Sequence, residues 1–190
     1  RQKLFLEFVK DQHTNHPLQP SNVFRKYTGE PYWVHPLAVA KLANEYLAPD
    51  TMAIEIALGH DLLEDTTCNI ATLHNALINI GYDFGECATI GLGINDLTDV
   101  FTHENYPLDN RAKRKNLEAE RLGRVDSISQ SIKYCDLIDN TKTIIEHDKG
   151  FAKKYLVEKA SLLNVMVDGN ILLRNKAITS LENANQKLKL

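Results

Sequence analysis

Apolar residues recur at helical spacing along almost the whole chain, and no stretch of alternating Val, Ile, Thr and aromatic residues persists. Helices with one apolar stripe are buried by packing on other helices, so the expected fold is all-α. Leu4, Phe5, Phe8 and Val9 share one face of a first helix. Pro36, Leu37, Val39, Ala40, Leu42 and Ala43 define a second, with Pro36 in its first turn. Asp50 and Thr51 would cap a third that runs through Ile54, Ile56, Ala57, Leu58 and Leu62. Helices over 70–80, closed by Gly81, and over 88–97 follow. A charged helix is expected over 109–123 and an apolar one over 126–147, after which Lys149 and Gly150 break the pattern. Residues 151–190 read as one or two closing helices with a break at Gly169. Loops fall at 13–32, 65–69 and 101–108, and the first is long enough to suggest a functional role. With 190 residues, the expectation is one domain over 1–190.

Charge and cysteine usage narrow the partners. The 22 basic and 25 acidic residues leave a net charge of −3, without the basic excess that general nucleic-acid binding needs. No apolar run approaches the roughly 20 residues of a membrane span, so no membrane partner is expected. Cys68, Cys87 and Cys135 are odd in number and widely spaced, which disfavours a disulfide framework or a cysteine zinc site and points to a reducing cytoplasm.

The chemistry concentrates in Gly59-His60-Asp61-Leu62-Leu63-Glu64-Asp65-Thr66. On a continuous helix, His60, Glu64, Asp61 and Asp65 would sit at roughly 0, 40, 100 and 140°, on one face. Three carboxylates so placed repel one another unless a cation lies among them. A plain polar helix end is the alternative reading. Two further segments favour the cation. His35 opens the second helix in Tyr32-Trp33-Val34-His35-Pro36, and Asp136 follows apolar positions in Ile132-Lys133-Tyr134-Cys135-Asp136, with Asp139 and Asn140 on its face. The ordered set His35…His60-Asp61…Asp136 is the signature of the HD superfamily of metal-dependent phosphohydrolases. Two imidazoles and two carboxylates suit Mn²⁺, Fe²⁺ or Zn²⁺ alike.

Flanking residues narrow the resemblance. Arg25-Lys26-Tyr27-Thr28-Gly29-Glu30-Pro31-Tyr32-Trp33-Val34-His35-Pro36 resembles the opening motif of the guanosine polyphosphate (ppGpp) hydrolases, which include the hydrolase halves of bifunctional stringent-response enzymes and small stand-alone hydrolases. His60-Asp61-Leu62-Leu63-Glu64-Asp65-Thr66 is similar to their His-Asp-x-x-Glu-Asp-Thr motif, Gly93-Ile94-Asn95-Asp96-Leu97 to their Gly-Val-Thr-Asp-Leu, and Ile132-Lys133-Tyr134-Cys135-Asp136 to their Val-Lys-Leu-Ala-Asp. Arg114-Lys115 matches a basic pair, and Asn140 falls where the family has Asn. The resemblance covers roughly residues 20–160 and implies a single-domain HD-type helical bundle with its motif-bearing core over about 20–165, without room afterwards for a synthetase domain. It implies that His35, His60, Asp61 and Asp136 hold Mn²⁺ and that Glu64 and Asp65 position or activate the attacking water. It also implies that Arg25, Lys26, Asn140 and Thr143 contact a small nucleotide substrate. Arg114 and Lys115 have two readings, a solvated helix face or steering of the substrate's phosphates. The implied reaction removes pyrophosphate from the 3′ position of ppGpp.

Helical placement slightly favours Glu64 over Asp65 for proton transfer. Asp139 departs from the family pattern, where His or Tyr is common. His13, His16, His74, His103 and His147 read as surface residues, Cys135 as a core filler and Trp33 as packing. A phosphatase of another phosphorylated nucleotide and a non-catalytic nucleotide-sensing module remain as alternatives.

Overall fold

Side chains placed just ahead of the helices set most of their starts. In the computed structural model, which describes residues 1–189, Asn69, Asp83, Asn110, Asp126, Asp148 and Asn170 each accept from a backbone amide of the first turn that follows. Leu190, the end of the expected closing segment, lies outside the described residues. No described residue belongs to a β-strand, and two isolated bridges are the extended pairings. The all-α expectation holds. No helix among the described residues is long and apolar enough to cross a membrane.

The described residues divide into two compact units, Arg1–Thr98 and the residues from Asp99 onward. The first contains α1 (Gln2–Asn15), α2 (Val34–Tyr46), α3 (Ala53–Gly59), α4 (Leu62–Asp65), α5 (Ile70–Ile80) and α6 (Phe84–Leu97). Here α3 lies against α1, α2 and α6, and α5 packs on α1 and α6. Phe5, Val9, Val39, Ile56, Leu62, Leu77 and Ile94 fill the space between them. Helix α6 starts four residues before the expected 88, because Asp83 and Glu86 form a reciprocal capping box. The expected Asp50–Thr51 cap of α3 is absent. Pro49–Thr51 winds into a 3₁₀ turn in which the Thr51 hydroxyl donates to Ala48 O, and Met52 enters α3 with φ 55°.

The second unit contains α7 (Arg111–Leu122), α8 (Ser127–His147), α9 (Lys149–Val165) and α10 (Ile171–Leu188). Helix α9 packs on α7, α8 and α10, and α10 also packs on α8. The break expected at Lys149–Gly150 is confined to Asp148, which ends α8 and caps α9. The break expected at Gly169 falls between α9 and α10. A Cβ on Gly169 would lie 2.5 Å from Tyr134 Cε2 and 3.0 Å from Ser131 N. Tyr134 has no room to retreat, being fully buried with its hydroxyl donating to Met166 O at 2.6 Å. Gly169→Ala is therefore expected to destabilise the fold by about 1–3 kcal/mol, the usual cost of overpacking, as read by urea denaturation.

Candidate metal centre

Helix α3 carries the buried run Ile56, Ala57 and Leu58, then stops at Gly59. His60 and Asp61 lie between α3 and α4, with Asp61 at φ −99° and ψ −1°. This corrects the continuous helical face expected for His60, Asp61, Glu64 and Asp65. The His60 ring stands at this break. Its Nδ1 meets the Ala57 carbonyl at 2.8 Å, the acceptor that the amide of residue 61 would use in a continuing helix. That contact makes Nδ1 the protonated nitrogen and leaves Nε2 with its lone pair, the arrangement a metal-ligating histidine needs.

His35 enters from the first turn of α2, its amide bonded to Tyr32 O. Both imidazoles are buried, with centroids 5.1 Å apart at 66°. His35 Nε2 lies 3.6 Å and His60 Nε2 3.2 Å from Asp61 Oδ2. The three donor atoms fall within 4.8 Å of one another, and the Asp61 side chain is 16% exposed at the rim. Two imidazole nitrogens facing one carboxylate oxygen suit a divalent cation. The cluster can therefore hold a metal.

The segment 16–33 is tied down around these residues. The Tyr32 hydroxyl donates to Asp61 Oδ2 at 2.9 Å, and Asn22 Nδ2 donates to Asp65 Oδ1 at 3.0 Å. Leu18 N donates to Asp65 O, and Thr67 N to His16 O. Burial, and then the charge of Asp61, push the Asp65 carboxyl up to about 6, against the lowering effect of the nearby Tyr32 hydroxyl. Glu64 is half-buried in the first turn of α4. Arg25 and Lys26 lie on a tight turn closed by Arg25 N to Glu30 O and Gly29 N to Arg25 O, with Gly29 at φ +69°. Lys26 Nζ sits 5.0 Å from the Tyr27 ring centroid and is exposed.

His13 was expected on the surface of a loop. It lies instead in α1, which runs on to Asn15, and is 1% exposed. Its ring stacks on Tyr32 at 4.9 Å, and neither nitrogen has a hydrogen-bond partner. Burial pushes it down to about 4, so it is neutral near pH 7. His74 is half-buried against Phe84, whereas His16, His103 and His147 are exposed as expected.

In the second unit, Asp136 is 6% exposed on α8. It pairs with Lys133 Nζ at 2.9 Å and accepts from Asn140 Nδ2. The Thr143 hydroxyl donates to Asn140 O at 3.2 Å. Arg114 donates to the Asp109 carbonyl, and Lys115 Nζ to Asp99 Oδ2 at 2.6 Å. Cys135 is buried, as its reading as core filler requires.

Lys159, which no sequence motif singles out, has no exposed surface, and its Nζ donates to Thr141 Oγ1 at 2.9 Å. Burial pushes it down to about 7, although Asp136 pulls the other way. Between pH 7 and the ordinary lysine value of 10.5, the unfolded chain holds more protons at this residue than the folded one. Stability therefore rises with pH across that window. Lys159→Met is expected to stabilise the protein at pH 7 by on the order of 1–4 kcal/mol, with a smaller gain at pH 10, as denaturant titrations at the two pH values would show. Thr141 keeps a partner in the variant because its hydroxyl also donates to Leu137 O.

No family model matches the chain, and no curated protein matches it. Among solved structures, it is similar to a metazoan ortholog of SpoT that hydrolyses ppGpp and plays a role in starvation responses. The match has a TM-score of 0.73 and covers 96% of this chain and 94% of that one, at 17% identity. The chain has the fold of that hydrolase. Motif spacing had already brought out His35, His60 and Asp61. It had no means of finding Tyr32, Asn22 or His13 as neighbours of these residues, since the contacts join side chains far apart in sequence.

Proposed function

We propose that the chain is a metal-dependent guanosine 3′,5′-bis(diphosphate) 3′-pyrophosphohydrolase, a single HD domain over 1–190. The observation that carries this reading is the convergence of His35 Nε2 and His60 Nε2 on Asp61 Oδ2. The shared fold with a protein that hydrolyses ppGpp supports it. Asp136 is assigned as the fourth ligand from the His…His-Asp…Asp order of the sequence. Mn²⁺ is the proposed metal, from the resemblance to the ppGpp hydrolases. When bound, a divalent cation polarises a phosphoryl oxygen and lowers the pKa of water.

The chain's own residues supply the rest. Asp65, held by Asn22, accepts the proton of the attacking water, and Glu64 orients that water. Arg25 and Lys26 present cationic donors to the phosphates, and the Arg guanidinium offers a planar fork for two oxygens. Arg114 and Lys115 add positive charge for the same anion. Asn140 donates to Asp136 and offers its carbonyl oxygen to the nucleotide, beside Thr143. Water attack transfers the 3′-pyrophosphoryl group to water, leaving GDP and pyrophosphate. A small nucleotide rather than nucleic acid is the proposed partner, in keeping with the net charge of −3. Three buried thiols fit a cytoplasmic location.

The test is incubation of metal-stripped protein with ppGpp, with and without added Mn²⁺, and separation of products by anion exchange. Mn²⁺-dependent formation of GDP and pyrophosphate is expected. Metal-dependent release of phosphate from other nucleotides, with ppGpp untouched, would replace the substrate and keep the metal centre.

A further inference from the structure

We propose that Tyr32 is a positioning residue for the metal ligand Asp61, and that the buried ring of His13 holds Tyr32 in place. The proposal rests on the reading of His35, His60 and Asp61 as a metal centre. The Tyr32 hydroxyl donates to Oδ2 of Asp61, the same oxygen that faces the Nε2 atoms of His35 and His60. A carboxylate oxygen has two lone pairs. The hydroxyl takes one and so fixes the rotation of the carboxylate, leaving the other for a cation between the imidazoles. Asp61 needs such a restraint. It lies between two short helices at the site rim, where the helix backbone imposes little on its side chain. Ligating carboxylates are commonly held by hydrogen bonds of this kind, and loss of one weakens metal binding about 10–100-fold.

Tyr32 itself lies on an irregular segment ahead of α2, and its ring is held by two imidazoles. His13 stacks on it at 4.9 Å and 25°, and His35 meets it T-shaped at 6.1 Å and 82°. His13 makes no hydrogen bond with either nitrogen, so its role here is that of a flat ring. A phenyl group has the same shape, whereas an alanine side chain leaves one side of Tyr32 unsupported.

The experiment measures Mn²⁺ binding to the metal-stripped protein by the electron paramagnetic resonance signal of free Mn²⁺, alongside thermal denaturation without metal. Wild type, Tyr32→Phe, His13→Ala and His13→Phe are compared. Tyr32→Phe is expected to raise the Mn²⁺ Kd about tenfold with an unchanged metal-free Tm. His13→Ala should raise it in the same direction, and His13→Phe should restore it. Wild-type affinity in Tyr32→Phe would overturn the proposal while leaving the metal centre intact. So would a loss of affinity that merely follows a loss of metal-free stability. Failure of wild type to bind Mn²⁺ would overturn both the proposal and the metal reading beneath it.

Discussion

Asp61→Ala is expected to reduce Mn²⁺-dependent pyrophosphate release from ppGpp by about 10³-fold or more. The residue contributes the one oxygen on which both imidazole nitrogens converge. A bound cation contributes several kcal/mol of charge stabilisation in the transition state, and a loss of about 4 kcal/mol corresponds to a thousandfold in rate. The variant should remain folded, because the Asp61 side chain lies at the rim and its partners are polar groups of the site rather than the apolar core. Circular dichroism and denaturation would establish that, and anion-exchange assays of GDP and pyrophosphate would give the rate. A folded Asp61→Ala protein that keeps near-wild-type, metal-dependent turnover would remove the cluster from the mechanism.

Asp65→Asn is expected to lower kcat by about 10²–10⁴-fold, the usual contribution of a positioned general base. Asp65 is the carboxyl of the site that burial and Asp61 hold near 6. A base must be ionised to accept a proton, so the wild-type rate should rise as pH rises through the pKa of this group and level off above it. A cation beside Asp61 offsets that carboxylate's charge, which places the acid limb of the loaded enzyme at or below about pH 6. Asp65→Asn should lose the limb together with the rate. Glu64→Gln provides the contrast. If Glu64→Gln loses the limb and Asp65→Asn keeps it, the two roles exchange, as the helical placement of Glu64 in the sequence slightly favours.

Much of the architecture was legible from pattern and end signals. Gly81 closes α5 where a left-handed C-terminal residue should stand. Asp126 opens α8, and Gly169 separates the last two helices. The misreadings have a common source, in that each end was decided by a side chain making a contact that periodicity does not register. Gly85, in the first turn of α6, concealed a helix start that the Asp83–Glu86 capping box fixes. The His60 ring, bonded to Ala57 O, accompanies the end of α3 inside an apolar run that reads as continuous. His13 looked like the start of a polar loop because Thr14, Asn15 and His16 follow it, yet α1 extends through Asn15 and buries it against Tyr32.

The sequence by itself determined the residue types of the metal cluster and their order. His35, His60 and Asp61 are chemically suited to a cation wherever the chain puts them, and short-range spacing places the last two side by side. Only the tertiary structure decided how those side chains are aimed. Tyr32 reaches Asp61 across 29 residues, and Asn22 reaches Asp65 across 43. Helical periodicity relates residues only a turn or two apart. Contacts of that separation exist because burial of Phe5, Val9 and Leu62 brings α1, α3 and α4 together, and the segment joining α1 to α2 must then pass over the carboxylates.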